Sequence, residues 1–268
     1  MNIIRIGHSP DPDDAFMFYG FASGQVTIPG HSIEHVLNDI QTLNQMANGD
    51  DPLEVTAMSV HAFLELGDRY ELLEVGTSVG RGYGPRLIAN QDMNIEELSG
   101  MRVALPGEKT TATLVARTLL PGIEEVQMDF TKIMDAVRSG DVAAGVIIHE
   151  GQLTYADEGF VLLADFGERF AERHNGLPLP LGVNCVRSDI DPDLKTQIAD
   201  AYRKSVQAAL NQRKAAVEYS LQFGRGLSRE LADTFVGMYV NQDSLSFTDE
   251  LHDAVNVLRE EYWNHASC

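Results

Sequence analysis

Cysteine is nearly absent from this chain: the 268 residues hold two, Cys185 after an apolar run and Cys268 at the terminus. Two thiols so placed build neither a disulfide framework nor a metal cluster, and they fit a reducing compartment. Cationic residues are scarce as well, with 20 Lys and Arg against 40 Asp and Glu and a formal net charge of −20. A surface this negative repels nucleic-acid phosphates, so nucleic acid is excluded as a partner and an anionic ligand needs a local positive site. Beyond that, the acidity reads as solubility. Long apolar runs are missing too, and Met1-Asn2-Ile3-Ile4-Arg5-Ile6-Gly7 passes straight into a strand and a Pro/Asp-rich loop. The expectation is a cytoplasmic protein with no membrane partner. The histidines show no His-Glu-x-x-His spacing, and there is no Gly-x-Ser-x-Gly elbow, P-loop or dinucleotide fingerprint. Neither a metal nor a cofactor is therefore expected.

What is present is an alternation of short apolar strands with helical patterns through the first two-thirds, the habit of an α/β sheet flanked by helices. Strands are expected at Ile3 to Ile6, Ile33 to Leu37, Val55 to Met58, Leu72 to Val75, Arg86 to Ala89, Arg102 to Leu105, Val126 to Met128, Val142 to Ile148 and Phe160 to Leu163. Helices are expected at Ala15 to Ala22, Thr42 to Ala47, Ser59 to Leu66, Thr111 to Leu120 and Ile133 to Val137. After the apolar Val183 to Val186 the remainder reads as helical, with Pro192 near the start of a long helix from Leu194 to Leu210 and further starts at Ser228 and Thr248. Chain crossings near Arg86 to Asn90 and Gly182 to Val186 predict a large α/β domain of residues 1–89 and 184–268 and a small one of 90–183, with a hinged ligand cleft.

One segment stands out chemically. Gly145-Val146-Ile147-Ile148-His149-Glu150 carries an imidazole to the carboxyl end of a strand, where α/β proteins place ligands. Histidine is the usual proton carrier near neutral pH, although a rim histidine packed against the core fits the segment too. Pro106 to Thr111 joins a strand to a helix, so Thr110 or Thr111 is a helix cap or a contact for a carboxylate or phosphate. Ser9-Pro10-Asp11-Pro12-Asp13-Asp14 precedes the first helix, which Asp13 or Asp14 can cap while a spare carboxylate meets a ligand hydroxyl. Ser59 is a cap or a ligand contact. Gly80-Arg81-Gly82-Tyr83-Gly84-Pro85 suits either close approach to a ligand or a plain crossover turn, with Arg81 and Arg86 as candidate cations.

Taken in order, these segments resemble the 1,4-dihydroxy-6-naphthoate synthases, which act on cyclic dehypoxanthine futalosine in the futalosine route to menaquinone. The likeness is carried by Ser9 to Phe16, Thr42-Leu43-Asn44, Gly80 to Pro85, Pro106-Gly107 with Thr110-Thr111-Ala112, Ile147 to Glu150 with Thr154-Tyr155, Gly176 to Gly182, and Tyr239-Val240-Asn241 with Ser244-Leu245. The resemblance implies a two-lobed α/β fold of the type II periplasmic-binding-protein kind with a central cleft, used as an enzyme. It implies a carbon–carbon lyase without cofactor acting on a small aromatic carboxylate, with His149 as proton acceptor and Thr110, Thr111, Ala57, Met58 and Ser59 against substrate. Ser9, Asp14 and Arg81 join that set from the reading of their loops. Asp11, Asp13 and Ala15 stand where the family usually has Cys, Asn and Thr, and Ala57 where it often has Lys. Rival readings are a non-catalytic solute-binding protein of the same fold and the sister enzymes that dehydrate chorismate.

Overall fold

The computed structural model describes residues 2–223 and 227–266, so Cys268 lies outside the described residues. The chain divides into two compact units, Met1–Val79 with Gly182–Asp249, and Gly80–Leu181 with Glu250–Cys268.

The first unit opens with β1 (Asn2–His8), in which Ile4 and Ile6 point into the core while exposed Ile3 and half-buried Arg5 on either side of Ile4 face away, the two-residue alternation of a strand. α1 (Pro12–Met17) starts three residues earlier than the sequence pattern predicts, because Pro12 needs no N–H partner in a first turn. Asp11, extended at φ −81° and ψ 151°, holds the cap position without a side-chain cap bond, which corrects the assignment of Asp13 or Asp14 as cap. α2 (Tyr19–Ala22) and β2 (His31–Leu37) follow, and then α3 (Ile40–Asn48), capped by the Asp39 carboxylate accepting from the Thr42 N–H at 3.0 Å. β3 (Val55–Ser59), α4 (Val60–Leu66), β4 (Tyr70–Leu72) and β5 (Ser78–Gly80) complete this stretch.

The second unit holds β6 (Arg86–Ala89), β7 (Arg102–Leu105), α5 (Thr111–Leu119), β8 (Glu124–Gln127), α6 (Ile133–Ser139), β9 (Ala144–Ile147), α7 (Gly151–Thr154), β10 (Val161–Asp165) and α8 (Phe166–Arg173). Among the described residues its sheet runs β10-β6-β9-β7-β8, with β7 parallel to β8 and β9, and β6 antiparallel to β9 and β10. Val103, Ala104 and Leu105 are all fully buried, as expected of a strand covered on both faces. Ile133 and Val137 of α6 pack on Ile88, Ala104 and Ile147.

β11 (Leu179–Arg187) then leads into α9 (Pro192–Asn211), α10 (Arg213–Ser220), α11 (Arg229–Tyr239) and α12 (Asp249–Ala266). In the first unit's sheet, β2-β1-β3-β11-β4, β1 is parallel to β2 and β3, while β11 runs antiparallel to β3 and β4. One face carries the main core, where Phe16, Phe18 and Phe21 meet Tyr202 and Val206 of α9; the other carries Leu43 of α3 against Leu53 and Ala57. Among the described residues no helix is long and apolar enough to cross a membrane.

Two boundaries differ from the sequence reading. The first crossing falls after Val79, not at Arg86 to Asn90, because β6 hydrogen-bonds to β9 and β10 and so belongs to the second sheet. Residues 250–266 also leave the large domain. Arg81 pairs with Glu250 at 2.8 Å, His174 with Glu261 at 3.2 Å, and Thr118 with His265 at 3.1 Å, all within the second unit.

In the Gly80 to Pro85 turn, Gly80 and Gly84 are required by backbone packing, while Gly82 has open space around it and answers a φ of +74°. A Cβ on Gly167, in the first turn of α8, would lie 2.0 Å from the Tyr83 carbonyl oxygen, and one on Gly84 would lie 2.9 Å from the Gly167 nitrogen. Gly167→Ala is therefore expected to destabilise the protein by about 3 kcal/mol, since backbone has to give way. Urea midpoints measure it, and a variant as stable as the parent would refute the close approach.

Candidate active site

The topology of each sheet gathers the residues singled out from sequence. In the second unit β7 and β9 are parallel neighbours with Ala104 opposite Gly145, so their carboxyl ends lie at one sheet edge. The Pro106 to Thr111 loop leaves from one and the His149 turn from the other, at a strand spacing of ~4.8 Å. Arg86 joins them, since antiparallel β6 sets it opposite Ile147. In the first unit β1 and β3 are parallel with Gly7 opposite Thr56, which brings Ser9 to Asp14 and Ser59 to one edge of that sheet.

His149 lies two residues beyond β9, which ends at Ile147; the strand does not run to the histidine as the sequence suggested. The backbone turns there, with the Gln152 N–H donating to the His149 carbonyl at 2.9 Å, and passes into α7. The ring is 9 % exposed and lies against Phe130, with centroids 3.7 Å apart and planes tilted by 51°. An aromatic wall on one side limits the directions from which a proton donor can approach.

Thr110 is the cap of α5, its Oγ1 accepting from the Thr113 N–H at 3.2 Å and donating to the Gly107 carbonyl at 2.8 Å. Thr111 Oγ1 donates to the Leu181 carbonyl at 2.7 Å. A hydroxyl has one proton to give, so in this arrangement both threonines spend theirs on backbone carbonyls. The attraction of this place for an anion then comes from the backbone N–H groups and dipole of the first turn of α5. Arg81 is half exposed and engaged by Glu250 at 2.8 Å.

In the first unit, Ser9 donates its N–H to Asp14 at 3.0 Å and its hydroxyl to Asp11 at 2.8 Å, closing the loop on itself. Asp11, Asp13 and Asp14 are all buried. Burial pushes the Asp13 carboxyl well above the ordinary carboxylate range, and the charges of Asp14 and Asp11 push it further. Ser78 Oγ donates to this carboxyl at 3.3 Å. Ala57 packs on Leu43 and Leu53, and Met58 is fully buried, so the hydroxyl of Ser59 is the polar side chain of that segment.

Ser59 occupies the cap position of α4 without a side-chain cap bond. Asn44 of α3 holds it instead, accepting the Ser59 N–H at 2.9 Å and donating to Ser59 Oγ at 3.1 Å. With a lone pair filled by Asn44, the serine O–H is the group left to donate. Asn44→Ala strands a buried N–H and is expected to cost about 2 kcal/mol. A urea midpoint unchanged by the substitution would remove Asn44 from this role.

The first unit's surface also has a depression of about 570 Å³ lined by Asp51, Asp68, Arg69, Arg187 and Asp189. It sits at the opposite end of β3 from Ser59, and its cations are engaged, Arg187 by Asp189 at 2.6 Å and Arg69 by the Gly49 carbonyl at 2.6 Å. That is a surface ion-pair network, separated from Ser59 by the length of β3.

The fold is that of the periplasmic solute-binding proteins: the chain resembles the alkanesulfonate-binding protein of Xanthomonas axonopodis pv. citri at a TM-score of 0.75 with 13% identity, covering 99% of this chain and 94% of that one. A crystal structure of an Archaeoglobus fulgidus protein is similar at a TM-score of 0.94 and 40% identity, over 99% and 98% of the two chains. Within that fold the chain belongs to the menaquinone biosynthesis family, whose profile matches residues 4–263. Its relatives include the 1,4-dihydroxy-6-naphtoate synthase of Thermus thermophilus, 38% identical over 255 residues that make up 95% of this chain and 92% of the relative.

Proposed function

We propose that this chain converts cyclic dehypoxanthine futalosine to 1,4-dihydroxy-6-naphthoate, acting as a carbon–carbon lyase with His149 as general base. His149 takes a proton from the bound substrate, and the electrons so released help expel the sugar-derived fragment as the naphthalene ring becomes aromatic. Positioned proton transfer of this kind contributes roughly 10²–10⁴-fold in rate, or about 3–5 kcal/mol of barrier. Thr110 and Thr111 meet substrate oxygens through the backbone N–H groups of the first turn of α5, the Ser59 hydroxyl with the backbone of Ala57 and Met58 meets another, and Ser9 and Asp14 complete the contacts. Arg81 takes part by exchanging Glu250 for the substrate carboxylate. The reading asks for no metal and no cofactor. A cytoplasmic setting belongs to it and is supported by Cys185, a buried free thiol that calls for no oxidising compartment.

The observation that carries the proposal is an imidazole just past the carboxyl end of β9, beside the loop after β7, in a member of the menaquinone biosynthesis family. The test mixes purified protein with cyclic dehypoxanthine futalosine and follows the naphthoate chromophore. Turnover is expected. Its absence, with thermal stabilisation by small organic anions instead, would mark a solute-binding protein and end the proposal.

A further inference from the structure

We infer that Arg86 is a positioning residue for His149: its guanidinium ties down α7, the short helix that the histidine turn feeds into. The inference rests on the reading of His149 as base. The sequence offers Arg86 as a cation for the substrate carboxylate, but its surroundings in the second unit assign it other work.

Three groups within that unit occupy the guanidinium. Arg86 Nη1 donates to the backbone carbonyl of Gln152, the second residue of α7. The Nε lies 3.4 Å from Asp165 Oδ2. The cation also stands over the ring of Tyr155, which closes α7, at 5.4 Å from the centroid. Both ends of the helix are thereby tied to one side chain. The same Gln152 whose carbonyl Arg86 holds gives its N–H to the His149 carbonyl at 2.9 Å, so the guanidinium is one residue's hydrogen bond from the histidine backbone.

The sheet makes the arrangement rigid. Arg86 sits opposite both Ile147 of β9 and Asp165 of β10, and directly paired residues on neighbouring strands share a face. Asp165 is itself fixed, because its Oδ1 caps α8 by accepting from the N–H groups of Gly167 at 2.9 Å and Glu168 at 3.3 Å. A helix of four residues has too few internal hydrogen bonds to hold its own place. A planar fork reaching a carbonyl, a carboxylate and an aromatic face at once is what arginine offers and lysine does not.

The experiment compares Arg86→Gln, Arg86→Lys and Asp165→Asn with the parent and with His149→Gln, by steady-state kinetics on cyclic dehypoxanthine futalosine and by amide hydrogen exchange. For Arg86→Gln, kcat is expected to fall about 30-fold with KM held within about threefold, since displacement of the base by ~1 Å costs rate rather than binding. Arg86→Lys is expected to recover little of this. Asp165→Asn, which keeps a capping oxygen for α8, is expected to give a weaker form of the same signature. Amides of residues 151–155 are expected to exchange at least tenfold faster in Arg86→Gln, with the strands of the sheet unchanged. A KM raised tenfold at constant kcat and restored by lysine would overturn the inference and make Arg86 a substrate cation. Unchanged exchange across 151–155 would overturn it whatever the kinetics. Should the parent itself show no turnover, the proposed reaction fails while the exchange result still decides whether Arg86 holds the turn.

Discussion

Replacing His149 by glutamine is expected to lower kcat by roughly 10²–10⁴-fold while ligand affinity stays within a few-fold, because the amide fills a similar volume and cannot take a proton at neutral pH. The ring's place dictates the choice of variant. It is 9 % exposed and packed against Phe130 at 3.7 Å, so truncation to alanine would leave a hole beside the phenylalanine and mix loss of the base with local collapse. Glutamine separates the two effects. Thermal shift with the naphthoate product checks that the site still binds. A glutamine variant within threefold of the parent would end His149's part in the chemistry.

Acid is expected to unfold this protein from the first unit, through His8. The residue is 1 % exposed, stacked on Phe18 with centroids 3.9 Å apart, and its ring nitrogens face the Ser9 carbonyl at 3.0 Å and His35 Nδ1 at 3.2 Å. If Nδ1–H donates to Ser9, Nε2 must accept from His35, an arrangement open only to the neutral ring. Burial pushes its pKa down to about 3, and the neighbouring His35 pushes in the same direction. The unfolded chain takes up a proton near the ordinary value of 6.5 while the folded one refuses it. Stability is therefore intact above about 6.5 and falls as pH drops toward 3, by up to roughly 4–5 kcal/mol at about 1.4 kcal/mol per pH unit.

Asp13 pulls the other way. Its raised pKa means the folded state holds that proton more tightly than the unfolded chain does, so folding gains as pH falls through the folded value toward the ordinary one. The informative quantity is thus the difference between the parent and His8→Phe, which keeps the stack on Phe18 and removes the titration. Urea midpoints between pH 7.5 and 4 are expected to converge as the pH falls, the variant losing less than the parent. Parallel curves would show that His8 does not resist protonation.

Much of the candidate site is legible in the sequence because its residues follow strands. An apolar run that stops at polar, Pro- or Gly-containing sequence marks a strand end, and Ser9, Ser59, Thr110 and His149 were all found that way. What such runs do not reveal is hydrogen-bond direction. Thr110 and Thr111 both looked able to donate to an anion, yet their protons go to Gly107 and Leu181. Ser59, which looked like a helix cap, is held by Asn44 from another helix fifteen residues away in sequence. Arg86 met its partners only through strand pairing, at separations of 66 and 79 residues, which no local pattern encodes. The helix start at Pro12 has a local signal, since proline favours a first turn, but the aspartates that follow it offer competing cap positions.

The sequence by itself determined the alternation of strands and helices, the loops at strand ends and the family, because periodicity, turn residues and ordered motifs are properties of neighbouring positions. Only the tertiary structure decided that β6 belongs to the second sheet, that residues 250–266 leave the first unit, and that a buried histidine with a lowered pKa and a buried aspartate with a raised one lie near the start of the chain. These depend on which strands pair and on what covers each side chain from distant segments. Hydrogen-bond partners and desolvation are set by closeness in space, and a linear pattern carries that only through the fold it produces.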